Sequence, residues 1–376
     1  MVARIAREPP QVSAATGPTA ARGGRRAQMG SLAVVDPSEA LRRIAYLLES
    51  RRAESYKVRA FRRAAAAVDE VEDETLAKLA ASGRLARLPG VGDTTARVIA
   101  EAVAGEVPDY LRHLEEEEKA EGRADLEGGA LELRQQLRGD CHSHSDWSDG
   151  GSPIREMAEA ARALGHDYLA LTDHSPRLTV AHGLDPERLR RQLEVVAALN
   201  EELEPFRILT GIEVDILEDG SLDQEPELLA RLDVVVASVH SKLRMDPEPM
   251  TARMVAAIDS PHTDILGHCT GRILVGRGRP ESRFDQDAVF DACARTGTAV
   301  EINSRPERLD PPEPLLRAAV AAGCLVSIDT DAHAPGQLEW LGNGCRKAAE
   351  AEVPPERIVN AWPREALLAW TARHTG

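Results

Sequence analysis

The sequence has few cysteines and no long apolar run, and both absences narrow the class of protein. Its five cysteines are odd in number and form no C-x-x-C pair, so no disulfide framework is predicted. No apolar stretch approaches the roughly 18 residues that a transmembrane helix needs. The first 30 residues also lack the sustained apolar segment of a secretory signal. We therefore expect a soluble protein of the cytoplasm with no membrane partner.

The amino-terminal tail, residues 1–35, is rich in arginine and is expected to be disordered. Met29 is an alternative start to Met1, and a transit peptide is another interpretation of so arginine-rich and acid-poor a stretch. The whole chain of 376 residues is long enough for two domains or one large barrel. Its formal charge of -16 argues against an indiscriminate nucleic-acid coat protein. Because much of that charge is local, it does not exclude a nucleic-acid substrate.

Candidate metal ligands begin in the segment Asp140–Gly150. His142 and His144 lie two residues apart at the end of an extended run, which places both imidazoles on one face of a strand, and the following turn brings back Asp149. A single histidine at a strand end is often structural. Later apolar runs nevertheless end repeatedly in histidine, aspartate or glutamate, and six of the eleven histidines occupy such ends. This repetition indicates a metal site.

From about Arg138 to the carboxyl terminus, these residues resemble the PHP (polymerase and histidinol phosphatase) domain, a metal-dependent phosphoesterase fold. The resemblance implies a bridging role for Glu213. It also implies nine ligand positions, all of which are filled here, by His142, His144, Asp149, His174, Glu213, His240, His268, Asp331 and His333.

Strand and helix patterns alternate through the same region in about seven units. This alternation predicts right-handed βαβ crossovers and a parallel sheet. The expected fold class is α/β, a distorted (β/α)7 TIM-like barrel over residues 138–376, as the resemblance also implies. The active site of such a barrel lies at the carboxyl ends of its strands, which is where the candidate ligands fall.

Nine nitrogen and oxygen ligands exceed the needs of one ion, so we expect two to three divalent metal ions. Imidazole mixed with carboxylate suits Zn, Mn or Fe better than Mg or Ca. Metals bridged by Glu213 would lower the pKa of a shared water and supply hydroxide to a phosphate ester. Asp331 and His333 complete the candidate catalytic set, with a group of the cluster protonating the leaving oxygen. Lys242 and Arg272 are candidate phosphate contacts, with surface solvation as the alternative.

The pattern over residues 36–114 is helical and predicts a small all-α domain. A Gly90-Val91-Gly92 turn opens one helix, and such a turn exposes backbone N–H groups that can hold a phosphate, although an ordinary helix connection is equally compatible. Three arginines of an earlier helix share one face that could follow a DNA backbone, or could be a solvated basic face. The candidate DNA contacts are Lys57, Arg59, Arg62, Arg63, Gly90 and Gly92.

The segment Tyr56–Arg63 is similar to the amino-terminal lyase domain of family X DNA polymerases, and the glycine turn resembles a helix-hairpin-helix element. The lysine that forms the Schiff base in that family aligns with Val98, so lyase activity is expected to be absent. Bacterial family X polymerases place a polymerase palm between this domain and the PHP domain. Here only a charged linker, residues 115–137, intervenes, and it is far too short for a palm.

Two functions follow from these resemblances. The first is a phosphoesterase acting on DNA ends, as a 3'-5' exonuclease, a 3'-phosphatase or an enzyme of abasic-site processing. The second is a small-molecule phosphatase or nucleotidase of the histidinol-phosphatase type, whose substrate is a small phosphate ester. A DNA-binding scaffold with an inactive barrel is a third hypothesis, and it is disfavoured because no ligand position has been lost. The helical domain favours DNA, and the sequence indicates no protein partner.

Overall fold

The computed structural model describes residues 35–120 and 126–373. The predicted disordered tail, except for residue 35, and the alternative start at Met29 lie outside the described residues. Within them, a group of helices precedes a barrel of alternating strands and helices. No described helix combines the length and the apolar character that crossing a bilayer requires.

The amino-terminal domain is built from helices that pack around one apolar core. These helices are α1 (Pro37–Ser50), α2 (Ser55–Asp69), α3 (Asp73–Ala81), α4 (Asp93–Val103) and α5 (Asp109–Ala120). The side chain of Asp36 begins α1 by accepting hydrogen bonds from the first amides of the helix. Leu41, Ile44 and Leu48 recur at helical spacing and are buried against Phe61 of α2.

The barrel contains seven parallel strands that pair in the order of the chain. The strands are β1 (Gly139–Ser143), β2 (Tyr168–Leu171), β3 (Arg207–Asp215), β4 (Val234–Ser238), β5 (Ile265–Leu266), β6 (Ala299–Asn303) and β7 (Leu325–Asp329). A parallel bridge between Ser143 and Ala332 brings the end of β7 back to β1, so the sheet nearly closes. The predicted seven-unit barrel is confirmed.

Helices cover the outside of the barrel. They are α6 (Gly128–Gln136), α7 (Ile154–Ala163), α8 (Pro186–Leu203), α9 (Pro226–Leu229), α10 (Pro247–Ile258), α11 (Gln286–Thr296), α12 (Glu313–Ala322), α13 (Leu341–Glu350) and α14 (Arg364–Thr371). Because the strands are covered on both faces, they consist of near-continuous buried runs, as in β4, where every residue is buried.

The segment predicted as a charged linker, residues 115–137, is largely helical where it is described. Helix α5 continues past the predicted boundary at Leu114, and α6 packs against α13 through Leu133. Only residues 121–127 separate these two helices. This interval leaves no room for a polymerase palm.

The helical domain docks on the barrel through the turn that follows β7. Helix α1 packs against the short 3₁₀ helix Pro335–Trp340. The Tyr46 hydroxyl donates to Glu339 at 2.6 Å, and the Trp340 indole donates to the carbonyl of Ser50 at 3.0 Å. The contact lies immediately after the candidate ligand His333, so α1 packs beside the carboxyl end of β7.

Candidate metal centre

Glu213 of β3 occupies the middle of a histidine cluster at the carboxyl end of the barrel. Its carboxylate is buried and 1% exposed. The imidazoles with a nitrogen within 3.6 Å of its oxygens belong to His142, His144, His174, His240 and His268. The shortest of these distances is 2.8 Å, from Glu213 Oε1 to Nε2 of His268. A central carboxylate among converging imidazoles is an arrangement that can bridge cations.

A second group adjoins the first at the mouth of the barrel. Asp149 Oδ1 lies 3.3 Å from Nε2 of His333 and 3.5 Å from Nε2 of His174. Asp331 Oδ1 lies 3.4 Å from Nε2 of His144, which also contacts Glu213. The structure therefore brings all nine predicted ligand residues into one connected cluster.

The protein alone does not satisfy the hydrogen-bonding groups of this cluster. The buried atoms without a hydrogen-bond partner include His142 Nε2, both ring nitrogens of His144, His174 Nδ1, Glu213 Oε2 and His240 Nε2. Leaving one such group unpaired costs about 1–3 kcal/mol. Three overlapping sets hold their donor atoms within 4.8 Å of one another: His144, Asp149, His174 and His333; His142, His144 and Glu213; and His174, Glu213 and His240. Mixed nitrogen and oxygen donors at these separations fit divalent metal ions.

Buried carboxylates orient two of the imidazoles. Nδ1 of His142 lies 2.5 Å from Glu301 Oε1, and Nδ1 of His240 hydrogen-bonds to Asp215. In each ring this leaves Nε2 directed at Glu213, as in metal sites where a carboxylate fixes the tautomer of a ligating histidine. Sequence reasoning missed both acids. Glu301 was detectable as an acid inside the apolar strand β6, and Asp215 as the residue two beyond Glu213 on the same strand face.

Asp173, which precedes the ligand His174, supports the loop that carries Asp149. Its buried carboxylate accepts hydrogen bonds from the amide and hydroxyl of Ser145 at 2.8 and 2.6 Å, and from Gln192 at 2.6 Å. The acceptor capacity of Asp173 is therefore used within the protein, and its role is to hold the segment after β1.

Charge at the site is balanced between carboxylates and imidazoles. Burial opposes ionisation of Glu213, but the charges of His240 and His142 lower the pKa of its carboxyl well below the ordinary value. Burial likewise opposes ionisation of Asp331, whose pKa the Arg305 guanidinium and a hydrogen bond from a neighbouring histidine lower well below its usual range. Both groups are held as carboxylates, which suits cation ligands better than proton donors.

A cleft of about 300 Å³ opens beside the cluster. Arg305 and Arg308, on the loop after β6, form one wall, and Leu178 and Ile273 supply apolar surface. Arg308 Nε lies 3.3 Å from Asp331 Oδ2, and its buried Nη1 has no hydrogen-bond partner. Sequence reasoning missed both arginines. Their position directly after a barrel strand was the available signal, since loops at that end of a barrel carry the active site.

The two predicted phosphate contacts lie elsewhere. The Arg272 guanidinium donates to the carbonyls of Arg308 and Leu309, and its side chain is only 13% exposed. Arg272 therefore supports the loop that carries Arg308 and is not among the residues that line the cleft. Lys242 is 63% exposed, with Glu218 at 4.0 Å, and it also lies outside the lining of the cleft.

Arg62, a predicted DNA contact, forms one ion pair within the helical domain and one with the barrel. Its Nε and Nη2 donate to Glu49 at 2.9 Å each, and its Nη1 donates to Glu156 of α7 at 2.8 Å. Only 14% of the Arg62 side chain is exposed, and its guanidinium links the helical domain to the barrel. The guanidinium of Arg62 is thus occupied by two carboxylates in this structure, whereas the prediction assigns it to phosphate.

The other DNA candidates lie on the surface of the helical domain. Arg59 and Arg63 are exposed, and a Cβ added at Gly90 would lie 3.4 Å from Cβ of Arg63, so the glycine turn and α2 are adjacent. The amide of Gly92 donates to Thr95 Oγ1 at 2.9 Å and is not free for a phosphate. Lys57 is exposed and pairs with Glu54 at 3.2 Å. Val98 is fully buried in the core, where it carries no nucleophile.

Comparisons with known proteins agree with this architecture. Residues 140–305 match the PHP domain model, and residues 35–107 match a helix-hairpin-helix domain model. The chain is 42% identical over 239 residues to DNA polymerase/3'-5' exonuclease PolX of Bacillus subtilis (strain 168). That match covers 64% of this chain but only 42% of the relative, so the chain spans less than half of that protein.

Two further proteins are similar to the chain. A probable phosphatase of Edwardsiella ictaluri is 30% identical over 239 residues, which cover 61% of this chain and 91% of the relative. The solved histidinol phosphate phosphatase of Lactococcus lactis, in complex with zinc, L-histidinol and phosphate, is 19% identical, with a TM-score of 0.40 over 57% of this chain and 92% of that one. The chain belongs to the PHP domain family and is a phosphoester hydrolase that also carries a helix-hairpin-helix domain.

Proposed function

We propose that this hydrolase acts on phosphate esters at DNA ends. The observation that carries the proposal is the position of the helical domain at the edge of the cleft. Glu307, which lines the cleft, pairs at 2.8 Å with Arg52 at the end of α1. The helix-hairpin-helix match and the similarity to a polymerase with 3'-5' exonuclease in its name support DNA as the substrate. A DNA end held by the helical domain would lie next to the catalytic cleft.

The nine clustered side chains are proposed to hold two to three divalent ions, with Zn, Mn or Fe suiting the donor set. When bound, such ions polarise a phosphoryl oxygen and lower the pKa of water. Glu213, Asp331 and His333 are the proposed catalytic set, with Glu213 central and His333 at the mouth of the cleft. Nδ1 of His333 hydrogen-bonds to the carbonyl of Asp331 at 2.8 Å, which leaves Nε2 for the cluster.

Arg305 and Arg308 are the proposed phosphate contacts in place of Lys242 and Arg272. Both line the cleft beside Asp331, and guanidinium groups donate charge-assisted hydrogen bonds to phosphate oxygens. Leu178 supplies apolar surface in the same cleft. The chain therefore offers cation ligands and guanidinium donors to a phosphoryl group in the same cleft.

The size of the cleft fits a terminal phosphate ester. About 300 Å³ is at the small end of ligand pockets and accommodates a single nucleotide or a small ester. The same volume supports the second candidate function, a small-molecule phosphatase, as does the similarity to a probable phosphatase. The two functions differ in whether the predicted DNA contacts of the helical domain contribute to turnover.

A substrate panel on the purified full chain distinguishes the two functions. The protein, supplemented separately with Zn, Mn or Fe, is given 3'-recessed, 3'-phosphorylated and abasic DNA, and also histidinol phosphate and mononucleotides. We expect the highest kcat/KM for a DNA end. A higher value for a small ester would replace the DNA function by the phosphatase function.

Variants of the helical domain give a second, independent test. Replacing Arg59 and Arg63 together by alanine should lower kcat/KM for DNA ends and leave that for a small ester unchanged. Lys78→Ala, which removes an exposed lysine paired with Glu74 on α3, is the matched control. Equal turnover of DNA by the control and the double variant would contradict the assignment of these arginines to DNA.

A further inference from the structure

A chain of polar contacts runs from the helical domain to the metal-binding loop. Arg52 Nε contacts Glu307 Oε1 at 2.8 Å, and Glu307 Oε2 lies 3.6 Å from Nε of Arg305. Nη1 of Arg305 donates to the carbonyl of Asp331 at 3.0 Å and lies 3.6 Å from Oδ1 of the same residue. Three charged side chains, those of Arg52, Glu307 and Arg305, thus connect the end of α1 to the candidate metal ligand Asp331.

The end of α1 is also connected to Arg305 by a second route, through Trp340. The Arg305 guanidinium lies over the ring of Trp340, 5.9 Å from its centroid, and the Trp340 indole donates to the carbonyl of Ser50. Gly336, in the turn between His333 and Trp340, donates its amide to Glu49 at 3.0 Å. A Cβ at Gly336 would approach a backbone oxygen of α1 to 2.2 Å, so the two segments are in close contact.

Arg52 is held in a backbone conformation that a glycine would adopt more easily. Its φ is +59°, in the left-handed region, where it ends α1 by donating to the carbonyl of Glu49. Glycine is the usual residue at such a helix end, because a Cβ disfavours this conformation. Arg52 therefore places a long charged side chain at a position where glycine would have the lower backbone cost.

The ion pair itself contributes little to stability. Arg52 and Glu307 are 36% and 24% exposed, and pairs this accessible are worth about 0–1 kcal/mol. The Arg52–Glu307 ion pair is instead expected to orient the side chains that follow it in the chain of contacts. Glu307 Oε2 is buried without a hydrogen-bond partner, so its position depends on the charges of the two arginines on either side.

We infer that Arg52 is a positioning residue for the catalytic cleft. Through Glu307 it holds Arg305 against the Asp331–His333 loop, so the helical domain sets the shape of the phosphate-binding wall. This inference rests on the proposed role of Arg305 as a phosphate contact. It assigns the helical domain a part in the hydrolysis of esters that the domain never touches.

The test measures hydrolysis of bis-p-nitrophenyl phosphate, a diester too small to need a DNA-binding surface. Arg52→Gly removes the guanidinium and relieves the backbone, whereas Arg52→Lys retains the charge. Glu307→Gln interrupts the next step of the chain. Glu352→Gly is the matched control, because Glu352 also has a positive φ, +57°, at the end of a helix and is not among the residues lining the cleft.

Arg52→Gly should raise KM about fivefold with kcat little changed, as expected when a substrate contact loosens without loss of chemistry. Its urea midpoint should equal or exceed that of the unaltered protein. Glu307→Gln should reproduce the rise in KM, the double variant should be no worse than either single variant, and Arg52→Lys should restore KM to within about twofold. Glu352→Gly should leave KM unchanged.

An unchanged KM in Arg52→Gly, or additive effects of the two single changes, would overturn the inference. Two further variants separate this outcome from a failure of the proposed function. Full hydrolysis by His142→Ala would show that the site itself is misassigned. An unchanged KM in Arg305→Ala would remove the phosphate contact and the inference with it. Loss of activity in His142→Ala and a raised KM in Arg305→Ala, with no effect of Arg52→Gly, would overturn only the coupling to the helical domain.

Discussion

Replacing Arg62 by alanine should destabilise the protein far more than replacing its exposed neighbour Arg63. Arg62 makes a bidentate ion pair with Glu49, whose side chain is only 3% exposed. It donates a third hydrogen bond to Glu156. Without the guanidinium, the Glu49 carboxylate would keep one donor, the amide of Gly336. A buried charge that loses its partner costs about 3–5 kcal/mol.

Arg63→Ala provides the reference against which the loss of stability in Arg62→Ala is measured. Arg63 is exposed on the same helix, and no ion pair joins it to an acid in the described part of the chain, so Arg63→Ala should change the free energy of unfolding by no more than about 0.5 kcal/mol. The assay is urea unfolding followed by tryptophan fluorescence, to which Trp340 at the domain contact contributes. If the free energies of unfolding of Arg62→Ala and Arg63→Ala differ by less than about 1 kcal/mol, the assignment of Arg62 as a buried ion-pair residue that links the domains is refuted.

A double variant tests whether the loss of stability in Arg62→Ala arises from the Glu49 carboxylate that is left without its ion-pair partner. Arg62→Met combined with Glu49→Gln removes both charges while keeping an acceptor for the amide of Gly336. Replacing both partners of a buried ion pair is often close to neutral, so the double variant should recover most of the stability that Arg62→Ala loses. A double variant as unstable as Arg62→Ala would assign the effect to lost packing instead.

Three further outcomes are expected. His142→Ala with His144→Ala should lower the metal content and abolish ester hydrolysis. His113→Ala, which alters an exposed residue of α5, should change neither; elemental analysis beside the activity assay checks this. Borohydride trapping on abasic DNA should give no covalent adduct, because the buried Val98 has no amine. Burial lowers the pKa of His166 to about 3 from 6.5. Below pH 6.5 the unfolded chain gains a proton that the folded residue does not, so the free energy of unfolding falls by about 1.4 kcal/mol per pH unit toward pH 3. In His166→Gln, the free energy of unfolding measured in urea should lack this part of its fall toward acid pH. If the variant keeps the pH dependence of the unaltered protein, the prediction is contradicted.

The barrel and the location of its candidate ligands were accessible from sequence because both follow from local pattern. Short apolar runs that alternate with helices can form a parallel sheet only through crossovers, and the strand ends then meet at one edge. His142 and Glu213 are far apart in the chain, yet each follows or lies within such a run, so topology alone brings them together. No long-range contact had to be guessed.

The contacts of long side chains were not accessible in this way. Arg62 shares a helix face with Arg59 and Arg63, and helical spacing cannot show that Glu156, 94 residues away, lies against only one of the three. Arg272 is four residues beyond His268, yet its guanidinium turns to the carbonyl of Leu309. Arginine has a flexible stem and several donors, so its partner depends on tertiary packing rather than on sequence distance.

Acidity of the whole chain does not oppose a DNA substrate at this site. Burial raises the pKa of Asp140 to about 6 and that of Asp329 well above its ordinary value, so burial opposes the ionisation of both of these acids. Glu213 is surrounded by imidazoles, and cations bound there would add positive charge. Surface acids beyond about 10 Å are screened at ordinary ionic strength. A phosphate entering the cleft therefore meets chiefly Arg305, Arg308 and the cation ligands, and this local field, rather than the net charge, decides whether a DNA end can bind.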